Sequence, residues 1–340
     1  MNVTRFAATT HQEFVEAVSA LKQKGMKRLV LDLRGNAGGF LEQAFKVTDE
    51  LLPKGRKIVF TKGRRPEFDE QYVSSGSAKF ADISLVVLVN NGSASASEIV
   101  SGAVQDWDRG LIIGETTFGK GLVQRQFPLA DGSAFRLTTA RYYTPSGRLI
   151  QRPYDGDKMK YQREAFERDE TEGENVEHQA EKDSTRPLFK TAGGRPVYGG
   201  GGITPDYIVK SDRLSEYTVQ LRSKQVFLEY ANKHIDTYGN DLKEHYGKDS
   251  RRFAKEFTVT PEMLEEIQAI AKGKNIEFKQ ELYDKDLRYI KAFTKAFIGR
   301  HLWGNEGSTR VMLEEDVQFR KAMSLFPEAE KIARNLASQK

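Results

Sequence analysis

A chain of 340 residues can bury a sizeable core in two or three domains, and its lack of cysteine excludes disulfides, thiolate catalysis and zinc–thiolate sites. Lys and Arg number 53 against 48 Asp and Glu, a net charge of +5, too small and too interleaved to point to nucleic acid. No apolar run approaches the roughly 20 residues of a membrane span, and "MNVTRFAATTH" has no charged-then-apolar leader, as expected of a mature or trimmed chain.

The first 150 residues alternate strand and helix signals. "VTRF" (3–6) alternates like a short strand, and residues 11–24 place Phe14, Val15, Val18 and Leu21 at helical spacing. "KRLVLDL" (27–33) is a continuous apolar run of the kind a strand covered on both faces carries. Residues 40–52 are helical in period, and "KIVF" (57–60) reads as a strand. "ISLVVLVN" (83–90) is a second buried strand, followed by a helix of small residues, "ASASEIVSGAVQD" (94–106), and "GLIIGE" (110–115) repeats the strand pattern. After Gly121 the signal changes: two β-rich runs flank an Asp131-Gly132 turn, which predicts a hairpin.

Residues 154–195 are dense in charge and poor in apolar residues, and read as a solvated, partly helical insertion. "GITPDYIV" (202–209) returns to strand-like sequence. From Leu214 onward the period is helical, with Thr260 as N-cap and Pro261 at the first helical position, and further amphipathic helices over 278–301 and 309–337. The expected fold is therefore a layered α/β core with a β-rich appendage and a charged insertion over 1–213, then an all-α region over 214–340.

Three glycine- or serine-rich stretches fall at strand ends. "GETTFGKGLVQ" (114–124) resembles a phosphate-binding loop, but Gly121 stands where a magnesium-binding hydroxyl is needed and a strand, not a helix, comes after it. Nucleotide binding is disfavoured. "NNGSASASEIVSGA" (90–103) sets Ser93, Ser95 and Ser97 at a strand-to-helix turn. Ser95 with Glu98 fits a capping box; a serine there also faces the crevice at the carboxyl edge of a sheet, where amides can stabilise an oxyanion. "LDLRGNAGGFL" (31–41) offers bare amides near the same edge, or simply a tight turn.

The five histidines, His11, His178, His234, His245 and His301, are scattered and form no metal or nucleophile pairing. A serine nucleophile would need another base. A neutral lysine can serve, and Lys120 sits between glycines with one acid, Glu115, nearby. Gln124 lies four residues on, and an even offset along an extended chain would put both side chains on one face. Spacing alone leaves Lys120 open between a base and a solvated loop lysine.

Taken together, "LVLDLRGNAGGFL", "VLVNNGSASASEIVSGAVQD", "GETTFGKGLVQ", "YYTPSGRLIQ" and "GGITPD" resemble the carboxyl-terminal processing peptidases, or tail-specific proteases, of the S41 class of serine peptidases. The resemblance implies a crotonase- or ClpP-like layered α/β peptidase core. It also implies a serine endopeptidase cleaving protein substrates near their C-termini through an acyl-enzyme, without metal or cofactor, in the periplasm or cell envelope. It makes Ser95 the nucleophile, Lys120 the base and Gln124 the orienting residue, with an oxyanion hole from the amides of Ala96 and of Gly38 or Gly39. Family members usually carry a PDZ domain ahead of the "VTRF"-like strand, and none stands there, which leaves tail recognition open. Residues 214–340 match no motif of the family; oligomerisation, an adaptor or a cap over the cleft are the roles open to them. The rival reading is a non-catalytic binding protein on the same scaffold.

Overall fold

The computed structural model describes residues 1–167 and 186–338; His178 and residues 168–185 of the charged insertion lie outside the described residues. The chain forms two compact units, Met1–Lys210 with Lys321–Lys340, and Ser211–Arg320. Each has its own apolar core.

In the first unit, α1 (Thr10–Gln23), β1 (Arg28–Asp32), α2 (Leu41–Asp49), β2 (Lys57–Gly63) and β3 (Gln71–Val73) are followed by β4 (Ser84–Val89), α3 (Ala96–Asp106) and β5 (Leu111–Gly114). Next come the hairpin β6 (Leu122–Pro128) and β7 (Ala134–Tyr143), the insertion helix α4 (Lys158–Glu167), a small pair β8 (Leu188–Lys190) and β9 (Pro196–Tyr198), and β10 (Tyr207–Ile208). One sheet runs β1-β4-β5-β10, all parallel, with Leu29 opposite Leu85, Val86 opposite Leu111 and Tyr207 opposite Ile113. Every residue of β4 is buried, as the unbroken apolar run requires of a two-sided strand. The second sheet, β3-β2-β7-β6, is antiparallel and is the β-rich appendage. Its hairpin turns at Gly132, at φ +84°.

The segment "VTRF" forms no strand. Isolated bridges join Phe6 to Gly39 and the preceding Asn2 to Asp32, so the segment lies beside the end of β1 and the loop that leaves it.

The second unit holds α5 (Glu216–Ser223), α6 (Val226–Tyr246), α7 (Ser250–Glu256), α8 (Pro261–Gly273) and α9 (Gln280–Glu315). Thr260 caps α8, its hydroxyl accepting from the Met263 amide at 3.4 Å. Helix α9 breaks at Trp303 and Gly304, so the helix expected over 278–301 ends where glycine takes φ +62°. Leu221, Phe227, Phe253, Ile290 and Ile298 fill this unit's core.

The stretch expected as one helix over 309–337 is divided among the end of α9, α10 (Val317–Ser324) and α11 (Phe326–Ser338). Helix α11 belongs to the first unit rather than to the helical one. Glu330 pairs with Arg28 of β1 at 2.9 Å, the same guanidinium lies 5.6 Å from the Phe326 ring, and Glu328 accepts from the Tyr207 hydroxyl at 2.6 Å.

Candidate active site

Three neighbouring strands of the parallel sheet, β1, β4 and β5, release three loops from their carboxyl ends: 33–40, 90–95 and 115–121. Those loops are the three motifs singled out in the sequence, and the fold brings them to one edge, where open parallel sheets bind ligands.

Buried polar contacts lock the first two loops together. Asn36, fully buried, accepts from the Gly38 amide (2.9 Å) through its side-chain oxygen and donates to Val3 O (2.7 Å). Its main-chain carbonyl accepts from the Ala94 amide (3.0 Å) and from the Ser97 hydroxyl (2.8 Å). Ser93 accepts from the Asn90 amide (3.0 Å) and donates to Leu33 O (2.8 Å). At the end of β1 the Arg34 guanidinium forks onto the Asp32 carboxylate (2.9 and 2.6 Å), stiffening the start of the glycine loop.

These contacts sort the three serines. Ser93 and Ser97 are fully buried, and each hydroxyl is tied to a backbone carbonyl. Ser95 is half-buried, and its hydroxyl takes no carbonyl partner among the described residues. It sits at φ 56°, ψ −110°, a backbone region that a non-glycine residue adopts only under strain, whereas an ordinary N-cap is extended. The carboxylate half of the predicted capping box does form: the Ser95 amide donates to Glu98 Oε2 at 2.8 Å.

Glu98 does more than cap. Completely buried, it reaches across to the third loop, and Oε2 also accepts from the Lys120 amide at 2.9 Å. Oε1 accepts from the Thr117 hydroxyl (2.6 Å) and the Gly119 amide (2.7 Å). One carboxylate oxygen thus holds the backbones of Ser95 and Lys120 together. Burial raises the Glu98 pKa, and the four donors around it oppose that rise. Tyr142 adds a second tie, its hydroxyl lying between the carbonyls of Ser95 (3.0 Å) and Lys120. Burial pushes that phenol well above its usual range, so it remains a donor.

Lys120 is half-buried in the loop just before β6, and no direct hydrogen bond joins its amine to the Ser95 hydroxyl among the described residues. Such bonds are often long in ligand-free sites. Gln124 is exposed on β6, next to a register shift between Val123 and Gln124. Because Lys120 precedes the strand, even spacing alone does not give the two side chains a common face.

Gly38 is pressed against the nucleophile turn. At φ +99°, an added Cβ would stand 2.9 Å from both the Ala96 amide and Ser95 Cβ, so only glycine fits. Its own amide is engaged by Asn36. The amides of Ala96 and Gly39 have no acceptor among the described residues. The phosphate-loop reading loses its last support, since the amides of Gly119 and Lys120 point at Glu98 and that of Gly121 at Gln151 Oε1 (2.9 Å). Among the described residues no cluster of His, Asp or Glu could hold a metal ion.

Sequence reasoning passed over Asn36 and Tyr142 and saw Glu98 only as a cap. The capping signal was the visible trace of Glu98; its reach to Lys120 needs the folded chain.

The family model described as peptidase family S41 matches residues 1–156. A carboxy-terminal-processing protease of Bartonella bacilliformis is 46% identical over 159 residues, covering 44% of this chain and 36% of that protein. A carboxyl-terminal-processing protease of Synechocystis sp. is 41% identical over 145 residues, covering 43% and 33%. The likeness to peptidase family S41 lies in residues 1–156. The chain spans about a third of the length of these relatives. Among solved structures, a photosystem II D1 C-terminal processing protease is 39% identical, covering 44% of this chain and 38% of that one, at a TM-score of 0.40. Residues 217–304, outside the S41 segment, match a family of unknown function, DUF8443.

Proposed function

We propose that the chain is a serine endopeptidase acting on protein substrates near their C-termini, with Ser95 as nucleophile and Lys120 as general base. The observation that carries this reading is the sorting of the serines. Ser95 alone of the three keeps its hydroxyl clear of backbone carbonyls, on a strained turn clamped by Glu98 to the backbone of Lys120. The carboxy-terminal-processing names of the relatives supply the substrate class.

In this mechanism Ser95 Oγ attacks the scissile carbonyl carbon as its proton passes to the Lys120 amine. The tetrahedral oxyanion takes hydrogen bonds from the amides of Ala96 and Gly39, which the Asn36 contact to Gly38 favours over the Gly38 amide. Collapse breaks the C–N bond, the lysine proton leaves with the amine, and an acyl-Ser95 ester remains. Water, deprotonated by the same lysine, then releases the acid and restores the hydroxyl. Gln124 orients the lysine without adding charge. The resemblance supports a site of action in the periplasm or cell envelope; no helix among the described residues is long and apolar enough to cross a membrane.

The test is cleavage of an unfolded protein, together with labelling by a fluorophosphonate. The chain should cleave and be labelled once, and Ser95→Ala should do neither while staying folded. Binding of the unfolded protein with no cleavage and no labelling would favour the non-catalytic alternative.

A further inference from the structure

Every backbone polar group of Gly119, Lys120 and Gly121 is held. The three amides donate to Glu98 and Gln151, the Lys120 carbonyl accepts from the Tyr142 hydroxyl, and the Gly121 carbonyl accepts from the Tyr142 amide at 3.0 Å. The Gly119 carbonyl accepts from the Arg152 amide (3.1 Å) and from the hydroxyl of Tyr161 (3.0 Å). Tyr161 comes from elsewhere: it lies on α4, the first helix of the charged insertion.

The contacts of Tyr161 form a closed circuit with the loop. Gln151 Nε2 donates to the Tyr161 hydroxyl (2.8 Å) while Gln151 Oε1 accepts from the Gly121 amide (2.9 Å). One hydroxyl therefore grips Gly119 directly and Gly121 through Gln151, one residue either side of Lys120. The ring is fixed as well. The Arg152 guanidinium lies 4.2 Å from its centroid and donates to the Tyr161 carbonyl (2.8 Å), and Phe118 meets the ring edge-on at 5.6 Å. Burial raises the phenol pKa, so the hydroxyl stays protonated and able to donate.

We propose that Tyr161 is a positioning residue for Lys120, so that the first helix of the charged insertion forms part of the catalytic scaffold. The proposal rests on the Ser95–Lys120 reading. Tyr161 acts through the loop backbone and Gln151, so its loss should change how well the base is aimed and leave substrate affinity alone.

The experiment uses the full chain and a fluorogenic peptide. Tyr161→Phe keeps the ring, the Arg152 stack and the Phe118 contact and removes only the hydroxyl. It should lower kcat by about 5-fold, the effect of losing the direct hydrogen bond to the Gly119 carbonyl, with KM and Tm unchanged because that carbonyl keeps the Arg152 amide and Gln151 Nε2 keeps the Arg152 carbonyl. Gln151→Leu should lower kcat to a similar degree, with the lower Tm that stranding the buried Gly121 amide brings, and the double variant should turn over no more slowly than the slower single one, because both residues belong to one circuit. Fluorophosphonate labelling should slow in parallel with kcat. Wild-type kcat in Tyr161→Phe, multiplicative losses in the double variant, or a kcat loss in Tyr161→Phe matched by a fall in Tm and a rise in KM would overturn the proposal. Wild-type chain that is neither labelled nor active would instead sink the Ser–Lys reading itself, a different result from a labelled wild type with an indifferent Tyr161→Phe.

Discussion

The backbone of Ser95 offers a test in which stability and activity move in opposite directions. At φ 56°, ψ −110° a residue with a Cβ is strained by about 1–3 kcal/mol, while glycine is not. Ser95→Gly relieves that strain, and the greater freedom of glycine in the unfolded chain takes back about 0.5–1 kcal/mol. Ser95→Ala is the control, because it removes the same hydroxyl and keeps the Cβ. The glycine variant should therefore be more stable than the alanine variant by about 1 kcal/mol, or about 2–4 °C in Tm for a unit of this size. Both should be inactive. Scanning calorimetry reads the first quantity on the transition of the S41-containing unit, and hydrolysis of a fluorogenic peptide reads the second. A Ser95→Gly chain no more stable than Ser95→Ala would show that the turn stores no strain. One that still hydrolysed peptide would remove Ser95 as nucleophile.

The neighbouring serines should behave differently. Ser93→Ala strands the part-buried Asn90 amide and should cost about 1–3 kcal/mol in urea unfolding, whereas Ser97→Ala leaves the Asn36 carbonyl its bond from Ala94 and should cost about 1 kcal/mol. Both should keep measurable hydrolysis, and a folded but dead Ser97→Ala would move the nucleophile. Lys120→Arg should be as inactive as Lys120→Ala, because a guanidinium cannot give up its proton to become a base; near wild-type turnover in the folded arginine variant would end the proposed mechanism. In Glu98→Gln an amide nitrogen facing Ser95 and Lys120 loses both of their amides, and one facing Thr117, whose hydroxyl can turn to accept, loses that of Gly119, so the clamp fails at one loop or the other. Its kcat should drop at least ~10-fold while loss of a buried charge keeps Tm close to wild type, and unchanged kcat would show that the clamp does not aim the pair.

Much of the core was legible because its signals are local. The apolar runs at 27–33, 83–90 and 110–115 became β1, β4 and β5, the Asp131-Gly132 turn became a hairpin, and Thr260-Pro261 opened α8. Each rests on side-chain alternation, turn chemistry or capping, which involve residues at most a few positions apart. The stretch "VTRF" misled because its alternation is real, yet its partners are the edge of β1 and a glycine loop that offer bridges instead of a ladder.

The candidate chemistry could likewise be placed on three loops from residue types alone, since glycine, serine and lysine at strand ends have few uses. Which serine is left with its hydroxyl clear was beyond the sequence: Ser93 meets Leu33 and Ser97 meets Asn36, each about sixty residues back along the chain. The same holds for Glu98 reaching Lys120, for Tyr161 gripping Gly119, and for α11 returning to pair Glu330 with Arg28 across 302 residues. Periodicity records which face of an element is apolar but carries no address for what covers it. Hydrogen bonds between distant loops depend on strand order, which only the folded sheet decides.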